Sequence, residues 1–93
     1  MKTHLVSGGC GFVGRNMVKR LYATTNDRIF FIDDLSIGTH PSTWLNIPFL
    51  RKIKEAEVYG EEERLLFLKS DFRKVLHAMD NKPEWLNENY GLD

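Results

Sequence analysis

Residues 7–14 read SGGCGFVG, four glycines in eight positions, directly after the strand-like run His4-Leu5-Val6. Glycine loses more conformational freedom on folding than any other residue, so this density belongs where the backbone itself needs the room. From Gly14 onward the apolar spacing becomes helical: Val13, Met17, Val18, Leu21 and Tyr22 share one face, with Arg15, Lys19 and Arg20 opposite. A buried strand, Thr3 to Ser7, therefore turns straight into a helix. Such a turn brings unpaired N–H groups to the helix start, where the helix dipole makes them an anion site. Two glycine frames fit, Gly9-x-Gly11-x-x-Gly14 and Gly8-x-x-Gly11-x-x-Gly14. Either one clears side chains from the path of a phosphate, although any tight strand-to-helix turn also favours glycine.

The rest of the chain alternates in kind. Thr24-Thr25-Asn26-Asp27 closes the first helix, and Ile29-Phe30-Phe31-Ile32 is apolar at every position. A strand with one wet face would alternate, so this run predicts a strand covered on both sides, as in parallel sheets. Asp33 to Pro48 reads as a loop with a turn of helix near Ser42 to Leu45. Pro48 to Val58 reads as a helix that starts at its proline. Leu65-Leu66-Phe67-Leu68 is a third buried strand, and Phe72, Val75, Leu76 and Met79 return to helical spacing. Trp85, Leu86 and Tyr90 are the anchors available to the polar tail. Strand, helix, strand, helix, strand, helix is the alternation that builds a parallel sheet through crossover helices. The expectation is an α/β chain, one domain over residues 1–93.

Asp33 ends the second strand, about 20 residues beyond the last glycine, where a ribose-binding carboxylate is expected in dinucleotide sites. A carboxylate there accepts bonds from both ribose hydroxyls, each contributing roughly 1.5–3 kcal/mol. It would meet a 2′-phosphate with like charge, which favours NAD over NADP.

Composition narrows the partners. Thirteen basic residues balance thirteen acidic ones, which gives no footprint for nucleic acid or an anionic membrane. Cys10 is the single cysteine, so no intrachain disulfide or multi-cysteine metal site is available. It is either a low-pKa thiol at the helix start or a small packed residue, and packing is the favoured reading. His4, His40 and His77 share no ligand-like spacing, and Trp44 and Trp85 read as partly buried. No apolar stretch is long enough for a membrane span and no signal peptide is evident, which points to the cytoplasm.

Taken together, Ser7-Gly8-Gly9-Cys10-Gly11-Phe12-Val13-Gly14 resembles the cofactor fingerprint of the extended short-chain dehydrogenases/reductases, the NAD-dependent sugar-nucleotide epimerases and dehydratases. Asp33-Asp34-Leu35-Ser36-Ile37-Gly38 is similar to that family's second-strand signature, and Leu68-Lys69-Ser70-Asp71-Phe72 to its third-strand ending. The resemblance implies a Rossmann-type parallel sheet with crossover helices, present here as its N-terminal βαβαβ half. It selects the frame Gly8, Gly11, Gly14. It also implies pyrophosphate on the backbones of Phe12 and Val13, ribose on Asp33, the adenosine-phosphate side along Asp34, Leu35, Ser36 and Gly38, and adenine beside Asp71 and Phe72. Asp34 departs from the family's more usual asparagine, and Thr39 to Arg64 matches none of its motifs.

The family's Tyr-x-x-x-Lys proton-transfer pair has no counterpart. Tyr22 is followed four residues on by Asn26 and Tyr59 by Glu63, and Tyr90 lies within three residues of Asp93. The expectation is a cofactor-binding piece without catalysis, whose relatives take a nucleotide-sugar substrate in their full-length form. The alternative is a stand-alone nucleotide-binding module, or one completed by a partner. With three strands only, the first is an open edge and one sheet face lacks helices, which predicts self-association through that exposed face.

Overall fold

The computed structural model describes residues 2–91. In chain order the elements are β1 (Thr3–Ser7), α1 (Phe12–Thr24), β2 (Arg28–Asp33), a 3-10 turn (Pro41–Thr43), β3 (Phe49–Ile53), β4 (Ala56–Tyr59), β5 (Leu65–Lys69), α2 (Phe72–Asn81) and α3 (Trp85–Tyr90). The strands form one sheet in the order β1-β2-β5-β4-β3. β1, β2 and β5 run parallel, whereas β4 pairs antiparallel with β5 and β3 with β4. The fold is therefore α/β, built on a five-stranded mixed sheet.

β2 behaves as its apolar run requires. Ile29, Phe30, Phe31 and Ile32 are each at most 1% exposed, and successive side chains go to opposite faces. Ile29 and Phe31 join Leu65, Phe67, Val18 of α1, Trp44 and Leu45 on one side. Phe30 and Ile32 join Leu66, Leu68, Val75 of α2, and Leu86 and Tyr90 of α3 on the other. The Tyr90 ring meets Phe30 edge-on, with centroids 5.1 Å apart.

Two expectations are overturned. Pro48 to Val58 is not a helix but most of a hairpin: Ile53 pairs with Ala56 across the two-residue turn Lys54-Glu55, with Lys54 in the left-handed region at φ 55°. Ala56 and Val58 join the cluster on one face of the sheet and Tyr59 the cluster on the other, the alternation of a strand. The open edge of β5 accounts for the strand state, because β4 satisfies its N–H and C=O groups. No α-helix therefore fills the crossover from β2 to β5; the segment with Pro41, Trp44 and Leu45 covers that part of the sheet instead.

The second overturned expectation is the bare sheet face. α2 and α3 cover the face opposite α1, so the bare face on which the expected self-association was argued is absent. The apolar stripe of α2, with Phe72, Val75 and Met79, had only that face available, since α1 and the Trp44 segment occupy the other. The open edge at β1 remains, since among the described residues β1 pairs only with β2. None of the described helices is long and apolar enough to cross a membrane.

One buried charge ties these layers together. Arg64, 6% exposed, directs its guanidinium at the backbone carbonyls of Tyr22, Thr25 and Asp27, at 2.9 to 3.3 Å. It also stacks over the Tyr22 ring at 4.4 Å. α1 has no basic residue in its own last turn, so Arg64 supplies the cation that its negative end favours. Arg64→Ala is expected to lower unfolding free energy by about 3 kcal/mol, on the scale of lost charge-assisted bonds at a buried site. Arg64→Lys should recover little, because an ammonium lacks the planar fork that reaches several carbonyls. Urea denaturation of the two variants checks both expectations.

Candidate functional site

At the end of β1 the amides of Gly8 and Gly9 both donate to the Ile32 carbonyl, at 2.8 and 3.3 Å, which ties the glycine turn to β2. Gly8 has φ +64°, a conformation that side chains other than glycine's rarely adopt. A Cβ at Gly14 would stand 1.9 Å from the Gly8 carbonyl oxygen, so helix and turn approach only because position 14 is glycine. Gly11 differs. An added Cβ there would meet nothing nearer than the Gly8 oxygen at 3.5 Å, an ordinary contact. The fold does not require glycine at position 11.

Gly11 is the N-cap of α1 and contributes no side-chain cap. Its own amide donates to Gly8 and its carbonyl accepts from Arg15. Among the described residues, the amides of Phe12, Val13 and Gly14 have no acceptor. The first turn carries no acidic side chain, and the Phe12 and Val13 side chains turn outward, 73% and 76% exposed. Three donors thus converge beside an uncrowded Cα, an arrangement suited to an anion.

Asp33 stands at the end of β2, facing this turn. Its Oδ2 accepts from the Cys10 amide at 3.0 Å and its Oδ1 from the Leu35 amide at 2.7 Å. A carboxylate has about four acceptor positions, so two remain for outside donors. The following loop folds back on the glycine turn: a Cβ at Gly38 would lie 2.7 Å from the Cys10 carbonyl carbon, and the Thr39 amide donates to the Cys10 oxygen at 3.2 Å. Asp34 accepts from the Ser36 amide at 2.9 Å, and that bond holds its carboxyl below the usual range. Leu35, at φ 63°, packs against the core, leaving its backbone alone to face the loop surface.

Asp71 caps α2 by accepting from the Arg73 amide at 2.9 Å. The Arg73 guanidinium also lies 2.7 Å from it, and these bonds hold the Asp71 carboxyl down at about 2. Both groups are too exposed for the pair to stabilise the fold much. Gly8, Asp33, Asp34, Asp71 and Phe72 line one groove of about 240 Å³ at the carboxyl ends of β1, β2 and β5. Gly11, Phe12, Val13 and Gly14 form the adjoining start of α1, Ser36 is exposed, and Gly38 lies under the loop. Arg73, which the sequence reading did not single out, also lines the groove. Its place depends on the Asp71 pairing, which no spacing rule reveals.

Cys10 is 1% exposed and its thiol is pushed up to about 12, mainly by burial and then by the charges of Asp33 and Glu57. Burial and these charges oppose a low-pKa thiol, and Cys10 packs in the core.

No protein-family model and no solved structure matches the chain. By its own geometry the chain is a mixed-sheet α/β domain with a polar groove at the carboxyl ends of three parallel strands.

Gly14→Ala is expected to cost about 3 kcal/mol, the upper end for overpacking, because backbone must move. Gly11→Ala should cost about 1 kcal/mol or less, the ordinary difference at an N-cap. Urea unfolding of the two variants separates the glycines. Cys10 should react with a disulfide reagent at pH 8 at least about 100-fold more slowly in the native chain than in urea, as expected of a protonated, buried thiol. Since its folded pKa lies above the unfolded value, native stability should fall as pH rises from 9.0 toward about 12. Cys10→Ala should flatten part of that fall in a pH series of urea unfolding curves.

Proposed function

We propose that the chain is the NAD-binding N-terminal part of a sugar-nucleotide epimerase/dehydratase-like oxidoreductase, with β1, α1, β2 and β5 as the first half of a Rossmann-type sheet. The observation that carries this reading is Gly11. It is the one glycine of its frame that packing and backbone conformation leave unexplained, and it stands beside three unpaired amides. The N-cap position favours glycine over alanine by about 1 kcal/mol or less, and clearance for a ligand is the further reason for a residue without a side chain there.

The residues present fit a dinucleotide. The amides of Phe12, Val13 and Gly14 would hold phosphate oxygens, and Asp33 keeps two acceptor positions for the ribose hydroxyls. Asp71 and the half-buried Phe72 offer a wall for the adenine at the far side of the groove. Among the described residues lining the groove, Arg73 is the sole cation and is paired with Asp71. A 2′-phosphate would therefore meet net negative charge from Asp33 and Asp34, which supports NAD over NADP. Bound NAD would supply the hydride acceptor; the chain itself binds and orients it. The chain carries no Tyr-x-x-x-Lys pair, so its part in the reaction is binding without turnover.

Titration calorimetry tests this directly. NAD is expected to bind at least about tenfold more tightly than NADP, on the scale of one lost or opposed charged contact. Asp33→Ala should shrink that preference, and Gly11→Ala should weaken both ligands while the chain stays folded, its stability lower by about 1 kcal/mol or less. Tighter NADP than NAD, or unchanged NAD binding in Gly11→Ala, would sink the assignment. Steady hydride transfer with any nucleotide sugar would contradict the absence of turnover.

A further inference from the structure

A second pocket, of about 460 Å³, lies away from the nucleotide groove, between the segment after Gly38 and strand β4. Ile47, Pro48, Phe49 and Tyr59 make its apolar walls, and His40, Ser42 and Glu57 converge at its polar end. Mostly apolar lining with a few convergent polar groups is the usual make-up of a small-molecule site.

Hydrogen bonding decides the state of the imidazole. The Ser42 backbone amide donates to His40 Nδ1 at 3.1 Å. An amide can only donate, so Nδ1 carries the lone pair and the ring hydrogen is on Nε2. Ser42 Oγ lies 2.9 Å from the same Nδ1, and Nε2 lies 3.0 Å from Glu57 Oε1. Glu57 is held from its other side by the Tyr59 hydroxyl, which donates to Oε1 at 2.5 Å. Burial and this bond push the Tyr59 pKa up, so the phenol stays a donor. The His40 ring stands edge-on to Phe67, with centroids 5.5 Å apart. Capping of the 3-10 turn accounts for the Ser42 amide bond. It does not account for a carboxylate at the opposite ring nitrogen, or for a hydroxyl turned to the lone pair beside an open apolar pocket.

We propose that Ser42 is a nucleophile that accepts acyl groups from small apolar esters seated in this pocket, with His40 as its base and Glu57 as a positioning residue. Ser42 Oγ attacks the ester carbonyl carbon, and its proton passes to His40 Nδ1 as the new C–O bond forms, the Ser42 amide giving up its bond to that nitrogen as the proton arrives. The Glu57 carboxylate stabilises the imidazolium so produced. The intermediate then expels the leaving alcohol, the ester C–O bond breaks, and His40 returns the proton to the departing oxygen. The products are acyl-Ser42 and a free alcohol, with no change of oxidation state. The Ser42 amide is directed at His40 Nδ1 rather than at the oxyanion and gives it little help. Aryl esters, whose leaving groups need little such help, are accordingly the class the site takes.

The test uses 4-nitrophenyl butyrate on the full chain, with nitrophenolate release followed optically and the acyl group mapped by peptide mass spectrometry. About one equivalent is expected to be released, with the butyryl group on Ser42, at least about 100-fold faster than in the urea-unfolded chain, the scale of general base catalysis. Ser42→Ala should abolish the mapped adduct. His40→Asn keeps a good N-cap acceptor, so the turn folds, and should slow acylation at least about 100-fold by loss of the base. Glu57→Gln should lower the limiting acylation rate while leaving the half-saturating ester concentration unchanged. Butyryl groups scattered over lysines with none on Ser42 would overturn the proposal. So would an unchanged acylation rate in His40→Asn with a native circular dichroism spectrum.

Discussion

The Gly8 carbonyl oxygen occupies space that a side chain at position 14 would need, leaving 1.9 Å to an added Cβ. This approach lets α1 begin directly over the end of β1, and much of the groove's geometry follows from it. The turn it closes is locked to β2 through the Ile32 carbonyl, and Asp33 then binds the Cys10 amide from one residue further along. Gly38 and Thr39 in turn rest on the Cys10 carbonyl group. A chain of backbone contacts thus runs from the glycine turn to the loop after β2. A side chain at position 14 would disturb each link.

That loop also joins the two sites. From Asp33 at the groove it passes Gly38 under the glycine turn and reaches His40 at the second pocket. Asp33 has a double role: two of its acceptor positions hold the loop in place while the others face outward. Loss of this carboxylate would therefore affect loop geometry as well as any ligand. For that reason Gly11, which holds nothing in place, is the sharper probe of binding.

The remaining strength comes from covering both faces of β2 and β5. Continuous apolar strands are stable only when each face finds a layer, and the layers differ in kind. α1 and the Trp44 segment serve one side, α2 and α3 the other. Arg64 joins the entry of β5 to the end of α1 through backbone carbonyls, a buried cation stabilised by a helix end and, among the described residues, without a carboxylate partner. The Arg28 guanidinium, bonded to the Gly91 carbonyl at 3.0 Å, ties the end of α3 to the start of β2.

The sequence by itself determined the three parallel strands, the first helix and α2, because apolar runs and helical spacing act locally and the glycine turn admits few alternatives. It also placed Gly8, Asp33 and Asp71 together, since parallel strands bring them to the same end of the sheet, whereas Arg73 joined them only in the fold. The hairpin was decided only by tertiary structure. Lys54-Glu55 carries none of the usual turn residues, and Phe49 and Leu50 of β3 are exposed, so strand pairing there comes from the free edge of β5. The side taken by α2 and α3 was decided the same way, by which face α1 had left open. Arg64 and its carbonyls, and His40 and Glu57, are far apart in sequence. Their meeting depends on sheet order, which local spacing does not encode.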